Sequence, residues 1–293
     1  MSLLRALGLA VIAAMSAHWA SAARAEDTLK VALGQRGNWE SSIPELGQRA
    51  GIFKKHGLVV DILWTQGGGE TQLAVISNAV DIGHGVGTGG VMAAYAKGAP
   101  VRAIANATTG ASDLSWFVPA SSPIKSLKDA KTIAYSTTGS STNLIVLGFI
   151  KHFGLSATAV ATGSPTSTFT QTMSGQVDVG WSSPQIAARA VADGKIRIIA
   201  YGSDLPSVRN QTVRIQIVNT ATLAAKRDAI RRYVDAYRET IDWMYSDPAA
   251  LKAYAEWANL PESLVKRMRD EFFPKDTLIP DRLSGLDAAM DDA

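Results

Sequence analysis

The sequence contains no cysteine among its 293 residues. The chain can therefore form no disulfide, and it has no thiolate for a metal site or for lipid attachment. Histidine is scarce as well, with four residues in all, and their spacing fits no pattern of metal ligands. A protein of this size must then gain its stability from a large apolar core. We expect no metal and no cofactor.

Catalytic motifs are also missing. The glycine-rich run Gly85–Gly90 (GVGTGG) lacks the acidic partner of a dinucleotide-binding fingerprint, and no Walker loop is present. The run Gly139–Ser141 (GSS) does not form a G-x-S-x-G nucleophile elbow. These absences predict a protein that is not an enzyme.

Long apolar runs are absent beyond the first residues. Arg5 is followed by the apolar run Leu7–Met15 and then by small residues, with A-x-A patterns ending at Ala22 and Ala25. This order predicts a secretory signal peptide at residues 1–25, cleaved after Ala25. The alternative is an uncleaved anchor, but the run is too short to span a bilayer. We expect a soluble periplasmic protein.

Excess charge of one sign is absent from the mature chain. The full sequence has 29 basic and 26 acidic residues, and removal of residues 1–25 takes away Arg5 and Arg24. The remaining balance is close to neutral, and no basic block stands out. Nucleic acid is therefore not an expected partner.

An internal repeat is the strongest positive feature. Residues Gly51–Gly83 align without a gap with residues Gly148–Gly180, at a shift of 97 positions, and 10 of the 33 residues are identical. A single repetition at so long a period predicts two similar lobes rather than a solenoid.

The repeated unit alternates strand and helix patterns. Such alternation predicts an α/β fold with a sheet of parallel type in each lobe. Two runs outside the repeat, Leu114–Pro119 and Val213–Val218, are expected to be strands that cross between the lobes. We predict one lobe at residues 26–110 and 213–293, including C-terminal helices, and the second at residues 111–212.

Helix boundaries are predicted from caps and glycines. Ser41 and Ser42 are expected to begin a helix that continues to about Lys55 and is ended by Gly57. The amphipathic pattern over Leu223–Ser246 predicts one long helix.

Four strand-to-helix junctions are candidate binding loops, because ligands of open α/β sheets bind at the carboxyl edge of the strands. Helix N-termini there carry free N–H donors and partial positive charge, which suits an anion. The alternative is that these Gly and Ser residues are only caps and turns. The four loops are Gln35–Trp39, His84–Gly90, Ser136–Thr142 and Trp181–Pro184.

Several residues near these loops have two possible roles. Trp39 and Trp181 are equally compatible with a pocket wall and with lobe packing. His84, at the repeat position of Trp181, is expected to be structural. The repeated carboxylates Asp81 and Asp178 are interpreted as turn residues rather than as an acid/base pair.

The chain resembles the substrate-binding proteins of ABC importers, in particular the nitrate, sulfonate and taurine binding proteins. The resemblance rests on the predicted export signal, on the repeat and on the order of four motifs. These are GIFKKHGL (Gly51–Leu58), VDIGHG (Val80–Gly85), STTGSSTN (Ser136–Asn143) and GQVDVGWSSP (Gly175–Pro184).

This resemblance implies a bilobed type II periplasmic binding fold whose two lobes close on a small organic or inorganic anion. It implies delivery of that solute to a permease in the inner membrane by a monomeric protein. The ligand contacts implied by position are Trp39, Gly87, Thr88, Ser112, Gly139, Ser140, Ser141, Trp181 and Arg214.

Other functions stay open at this point. The same fold serves binders of thiamine-pyrimidine precursors and a synthase-like enzyme, and a periplasmic sensor subunit would bind its solute in the same way. Arg36 and Arg214 are the two cations that we place near the binding loops, so neutral aromatic solutes fit as well as anions.

Overall fold

The computed structural model describes residues 26–287, so the predicted signal peptide lies outside the described residues. The strands are β1 (Asp27–Leu33), β2 (Leu58–Trp64), β3 (Ile82–Gly87), β4 (Val101–Thr109), β5 (Ser115–Pro119), β6 (Thr132–Tyr135), β7 (Thr158–Ala161), β8 (Gly180–Ser182), β9 (Ile196–Tyr201) and β10 (Thr212–Asn219). The helices are α1 (Ile43–Arg49), α2 (Ile52–Lys55), α3 (Gly68–Ile76), α4 (Thr88–Ala96), α5 (Ser141–Phe153), α6 (Pro165–Met173), α7 (Pro184–Ala192), α8 (Thr220–Ala225), α9 (Arg227–Ser246), α10 (Pro248–Ala258) and α11 (Glu262–Phe272).

The first sheet has the strand order β2-β1-β3-β10-β4. Its first three strands run parallel, as the alternating strand and helix pattern predicts. Strand β10 lies antiparallel between β3 and β4. The sheet is therefore mixed rather than purely parallel, because β10 returns to it from the far end of the sequence.

The second sheet repeats this order. Strands β6 and β7 are paired in parallel, and β5 lies antiparallel between β8 and β9. A parallel bridge between Ile133 and Val179 joins the two groups, and the amide of Ala134 donates to the carbonyl of Val179 at 2.8 Å. The resulting order is β7-β6-β8-β5-β9, which matches the first sheet strand for strand.

We call each sheet with the helices that cover it a lobe. The two expected crossover strands are present as β5 in the second lobe and β10 in the first. The fold is thus bilobed α/β, as the repeat predicts. The lobe boundaries at residues 110 and 212 stay predictions.

Two helices differ from the sequence-based expectation. The helix expected from Ser41 to Lys55 is divided, because Gly51 adopts a left-handed conformation at φ 74° between α1 and α2. The helix expected from Leu223 is also divided, at Lys226, into α8 and α9. The predicted left-handed glycine after α2 is confirmed, since Gly57 has φ 66°.

The C-terminal helices complete the core of the first lobe. Buried aromatic residues of α9 and α10, among them Tyr233, Tyr237 and Tyr254, join one apolar cluster with residues of β1, β2 and α1. A separate cluster fills the second lobe around Trp116 and Phe149. Between residues 26 and 287, no helix combines the length and the apolar character that a membrane-spanning segment requires.

The two repeated aspartates bind backbone amides of a neighbouring strand. Asp81 accepts a hydrogen bond from the Lys30 amide within β1 at 2.9 Å, and Asp178 accepts from the amides of Lys131 and Thr132 at the start of β6 at 2.8 and 3.0 Å. Each carboxylate therefore satisfies backbone donors, which is the kind of structural role that the sequence predicts.

Candidate ligand-binding site

Glycine-rich loops of the two lobes meet along a narrow contact, which we call the interlobe seam. It is formed by residues 67–69 and 87–90 of the first lobe and by residues 137–141 of the second. The amide of Gly69 donates to Thr137 Oγ1 across the seam at 3.0 Å. Two of the four predicted binding loops, His84–Gly90 and Ser136–Thr142, therefore touch each other.

The seam depends on the absence of side chains. A Cβ atom added to Gly87 would lie 2.7 Å from the carbonyl oxygen of Gly139 and 2.7 Å from the amide nitrogen of Ser141. Backbone atoms cannot yield as a flexible side chain can, so any larger residue at position 87 would separate the lobes. Gly139 has φ 81°, which favours glycine there as well.

The predicted seam residues with hydroxyl groups are buried at helix N-termini, and one of them, Ser140, is a cap. Ser140 is the N-cap of α5, and its Oγ accepts from the Asn143 amide at 3.2 Å. Ser141 is the first residue of this helix and is 5% exposed. Thr88 begins α4, and its hydroxyl donates to the Thr212 carbonyl at 2.6 Å. The N-terminus of α5 thus faces the first lobe at the seam.

Beside the seam lies a group of buried polar and ionisable residues, which we call the buried charged cluster. It consists of Asn38, Glu40, His84, Asp113 and Arg214. Asn38 and Glu40 follow β1, and His84 lies in β3. Asp113 lies in the connection from β4 to β5, and Arg214 lies in β10 directly opposite Gly87. Both connections between the lobes therefore contribute a charged residue.

Direct contacts join these five residues into two groups. Arg214 Nη2 donates to Asp113 Oδ2 at 2.7 Å, and Asn38 Nδ2 lies 3.5 Å from the same oxygen. His84 Nε2 lies 3.1 Å from Glu40 Oε1. The His84–Glu40 contact satisfies the distance of an ion pair but not the angles of a hydrogen bond, so both atoms keep unused hydrogen-bonding capacity.

Every member of the cluster has at least one buried polar atom without a hydrogen-bond partner among residues 26–287. These atoms are Asn38 Oδ1, Glu40 Oε1, both ring nitrogens of His84, Asp113 Oδ1, and Nε and Nη1 of Arg214. Buried polar groups in folded proteins are nearly always paired with protein atoms or water. These atoms are therefore able to hydrogen bond to a polar ligand or to water.

The two carboxylates of the cluster experience different fields. Burial raises the pKa of Glu40, but the charge of Arg214, with smaller contributions from His84 and Ser41, outweighs it and lowers that pKa to about 2. Burial also raises the pKa of Asp113, and there it prevails over Arg214. The pKa of Arg214 is raised, because Asp113 and Glu40 outweigh the effect of burial. Arg214 therefore acts on Glu40 through its charge, while its direct ion pair is with Asp113.

The predicted tryptophans lie in the cores of the lobes. Trp39 is 1% exposed, and its indole N–H donates to the Tyr245 hydroxyl at 3.1 Å while its ring packs on Tyr254 at 4.8 Å. Trp181 is fully buried in the second lobe, and its indole nitrogen has no partner among the described residues. These positions favour lobe packing for Trp39, and Trp181 retains a free donor.

The remaining predicted contact, Ser112, is half-buried beside the cluster. Its hydroxyl donates to the Phe272 carbonyl at 3.4 Å, which ties the β4–β5 connection to the end of α11. Arg36, by contrast, is exposed. The structure therefore brings Gly87, Thr88, Gly139, Ser140 and Ser141 together at the seam, with Ser112 and Arg214 at the adjoining cluster.

Sequence reasoning missed Glu40 and Asp113. Glu40 follows the first predicted binding loop by one residue, and Asp113 follows Ser112. The available signal for both residues was a carboxylate directly beside a residue that the sequence already predicts to contact the ligand. Although Glu40, His84 and Asp113 are all acidic or imidazole side chains, no three His, Asp or Glu residues within the described part of the chain are arranged to hold a metal ion.

Comparison with solved structures gives the fold. The alkanesulfonate-binding protein SsuA from Xanthomonas axonopodis pv. citri, bound to MOPS, matches with a TM-score of 0.75 at 19% identity, covering 90% of this chain and 89% of that one. The aliphatic sulphonate binding protein SsuA from Escherichia coli matches at 0.65 and 19% identity, covering 85% and 84%. The nitrate-binding protein NrtA from Synechocystis PCC 6803 matches at 0.65 and 12% identity, covering 83% and 70%.

These structures share the periplasmic binding protein fold, and the present chain adopts it too. No curated protein matches the chain by sequence. The sequence model of the family described as "NMT1/THI5 like" matches residues 45–251, which is more than half of the chain. The chain therefore belongs to the NMT1/THI5-like family.

Proposed function

We propose that this protein is the solute-binding subunit of an ABC importer, which captures a small solute between its two lobes and delivers it to a membrane permease. One observation carries the proposal. Two sheets of the same strand order are joined by two connections, and each connection places a charged, incompletely paired side chain, Asp113 or Arg214, at the junction of the lobes. Closure of two lobes around such a junction is a common way to enclose a ligand.

The similar proteins support a binding role rather than catalysis. The SsuA and NrtA structures are named as binding proteins. We accordingly propose a monomeric, non-enzymatic receptor in the periplasm, exported by the signal peptide that the sequence predicts at residues 1–25.

The proposed binding surface combines the seam with the cluster. The α5 N-terminus at Ser140 and Ser141 supplies backbone donors, and Arg214 supplies a cation. These groups are what an anion such as a sulfonate or nitrate would require. Glu40 and Asp113 oppose an anion, because their carboxylates lie in the same buried region. The site thus offers both donors and acceptors to a solute.

A thermal-shift screen tests this proposal. A solute that binds only the folded protein raises its stability by about 2.7 kcal/mol at a hundredfold excess over Kd, so its melting temperature should rise by several degrees. The screen should include alkanesulfonates, taurine, nitrate, aromatic carboxylates, amines and pyrimidines. Failure of every solute to raise the melting temperature, together with measurable turnover of one of them, would contradict the proposal.

The role of the α5 N-terminus is tested with two matched cap variants. Ser140→Ala and Ser164→Ala each remove an N-cap hydroxyl, since Ser164 caps α6 in the same way. Each variant should lose about 1 kcal/mol of stability. Only Ser140→Ala should also weaken binding of the solute found in the screen, as measured by calorimetry. Equal affinities in the two variants would remove Ser140 from the site.

A further inference from the structure

A cavity opens from the buried charged cluster toward solvent between the two lobes. Its volume is about 420 Å³, and it lies between α7 of the second lobe and α11 of the first. Asp113 lines it together with Ser112 and Ser115 of the β4–β5 connection. A volume of this size falls in the range of small-molecule sites.

The walls of the cavity are largely apolar. Pro184 and Ala187 of α7 face Leu264 and Met268 of α11 across it. Near its edge the rings of Tyr201 and Phe272 are stacked with centroids 6.4 Å apart and an interplanar angle of 25°. An aromatic or aliphatic body would therefore be buried between the two helices.

Unlike the apolar walls, Asp113 is an ionisable group, and one of its two carboxylate oxygens has no hydrogen-bond partner among the described residues. Its residue is 2% exposed, and its Oδ2 accepts from Arg214 Nη2 at 2.7 Å. Its Oδ1 is buried without a partner among the described residues. A buried acceptor that lacks a donor is costly, and the cost is larger for a charged group. A hydrogen-bond donor supplied by a ligand in the cavity would remove this free-energy cost.

The charges around Asp113 favour a cationic donor. Glu40 and Asp113 contribute two carboxylates, and Arg214 contributes one guanidinium. Among these three groups one negative charge is left uncompensated, and burial raises the pKa of Asp113. At the cavity edge, Arg267 and Glu271 of α11 are both exposed and opposite in sign, so they add little net field.

We propose that the solute carries a protonated nitrogen whose N–H group donates to Asp113 Oδ1, attached to an apolar body that lies between α7 and α11. This assignment rests on the solute-binding function proposed above and specifies its ligand class. It differs from the anions named for the similar SsuA and NrtA structures. The difference arises from the two carboxylates beside Arg214.

Three compounds of the same shape test the charge of the ligand. Benzamidine, benzamide and benzoate differ in charge by one unit at each step, and all three fit the cavity volume. Calorimetric titration of the purified protein at pH 7 should rank them in that order of affinity. A charge-assisted hydrogen bond should make benzamidine bind at least about tenfold more tightly than benzoate.

The pH dependence provides a second readout. The groups that face Asp113 are Arg214 from β10, Glu40 and Asn38 from the turn after β1, and the edge residues of α11; His84 acts on it through Glu40. Protonation of Asp113 removes its charge, so benzamidine affinity should fall as the pH is lowered through the titration of this carboxyl group, which burial places above its ordinary range of pKa. An anionic ligand would show the opposite dependence, because it binds better to the neutral carboxyl group.

Two variants and one control locate the ligand. Asp113→Asn should weaken benzamidine binding at least about tenfold, since it replaces a charged acceptor by a neutral one. Ala188→Phe fills the cavity from α7 without touching the cluster and should abolish binding. Ala224→Phe places the same ring at an exposed position of α8 and should leave binding unchanged.

The outcomes separate this inference from the proposed function. If benzoate or a sulfonate binds best, and Asp113→Asn strengthens it, the ligand class is wrong while the solute-binding role stands. If a solute from the screen binds equally well to wild type and to Ala188→Phe, the cavity is not its site. If benzamidine does not bind while an anionic solute of the screen does, the ligand class fails and the solute-binding function stands.

Discussion

Two buried carboxylates share one guanidinium in this protein, and they respond to it in opposite ways. Glu40 has a pKa lowered to about 2, whereas the pKa of Asp113 is raised. Ionisation of Glu40 therefore stabilises the fold, whereas burial opposes ionisation of Asp113. Asp113 holds Arg214 by a direct hydrogen bond at 2.7 Å, and Glu40 acts on Arg214 through its charge alone.

The first prediction concerns the pH dependence of this pair. A lowered carboxyl pKa contributes stability that is complete above the ordinary value of 4.5 and is lost as the pH falls toward 2. Glu40→Gln should therefore reduce the free energy of unfolding by roughly 3 kcal/mol at pH 7, and by about half as much at pH 3. Urea unfolding at both pH values measures this.

Asp113→Asn is the matched control. Its carboxyl has a raised pKa, so the stability linked to its titration increases as the pH falls, which is the opposite of Glu40. The loss of stability in Asp113→Asn should therefore not shrink between pH 7 and pH 3, although the variant also breaks the ion pair with Arg214. A loss that shrinks as much as that of Glu40→Gln would contradict the opposite directions of the two pKa shifts.

The residues of the buried charged cluster were only partly predictable from the sequence. Ser112 and Arg214 could be nominated because they lie near the expected crossover strands. Glu40 and Asp113 could not, because a buried charge is recognised by its partner, and the partner here is Arg214, 101 residues after Asp113. Only the folded arrangement shows which charges are buried together.

At the scale of elements, the interlobe seam is formed by backbone rather than by side chains. The start of α4 and the loop before α5 approach so closely that a Cβ atom at Gly87 would collide with Gly139 and Ser141. Gly87 itself has φ −61°, which any residue can adopt. Its requirement for glycine therefore comes from the opposite lobe and not from its own turn.

Gly87→Ala should impair closure without unfolding either lobe. We expect a smaller decrease in radius of gyration on addition of the solute found in the screen, and a weaker affinity for that solute. Small-angle scattering and calorimetry measure these two quantities. Gly154→Ala is the control: Gly154 has φ 62° and nothing within 4 Å of an added Cβ.

The control should lose about 1 kcal/mol of stability through local backbone strain and keep its affinity. Equal loss of affinity in both variants would show that Gly87 matters for the stability of its own turn.

The close approach across the seam could not be predicted from sequence, although the helices and strands around it could. A glycine in a junction loop is compatible with a turn, a helix cap or a close contact between lobes. Only the position of the opposite lobe in the folded protein shows which of these roles it has.

Considered as a whole, the molecule repeats its internal hydrogen bonds as well as its strand order. Thr65 and Thr71 pair through their hydroxyls at 2.7 Å in the first lobe, and Thr162 and Thr168 do so at 2.6 Å in the second. These four threonines lie at positions that are identical in the two copies of the repeat. The repeat predicted both lobes correctly, because the same buried polar pair closes the same strand-to-helix turn in each.

Thr65→Val and Thr162→Val should each lower the free energy of unfolding by about 1–3 kcal/mol, because each removes a buried hydrogen bond between two hydroxyls. The loss should be smaller in Thr65→Val, since Thr71 Oγ1 still donates to the Gly67 carbonyl at 3.2 Å. The double variant should be additive within about 0.5 kcal/mol, since the two pairs lie in different sheets. Chemical unfolding measures all three. Thr158→Val, at an exposed position of β7, should have little effect, and a loss comparable to that of Thr162→Val would contradict the assignment.

The positions of β5 and β10 have a consequence for how the chain can be divided. Each repeat unit consists of four strands followed by a fifth, β1–β4 with β5 and β6–β9 with β10, and the fifth strand of each unit is inserted into the sheet of the other. The two repeat units of the chain have therefore exchanged their fifth strands. A single unit cut from the chain would lack the strand between its third and fourth, and two copies would have to donate strands to each other to restore it. We therefore expect neither unit to fold alone, because sheet hydrogen bonds hold each unit's fifth strand in the lobe formed by the other unit.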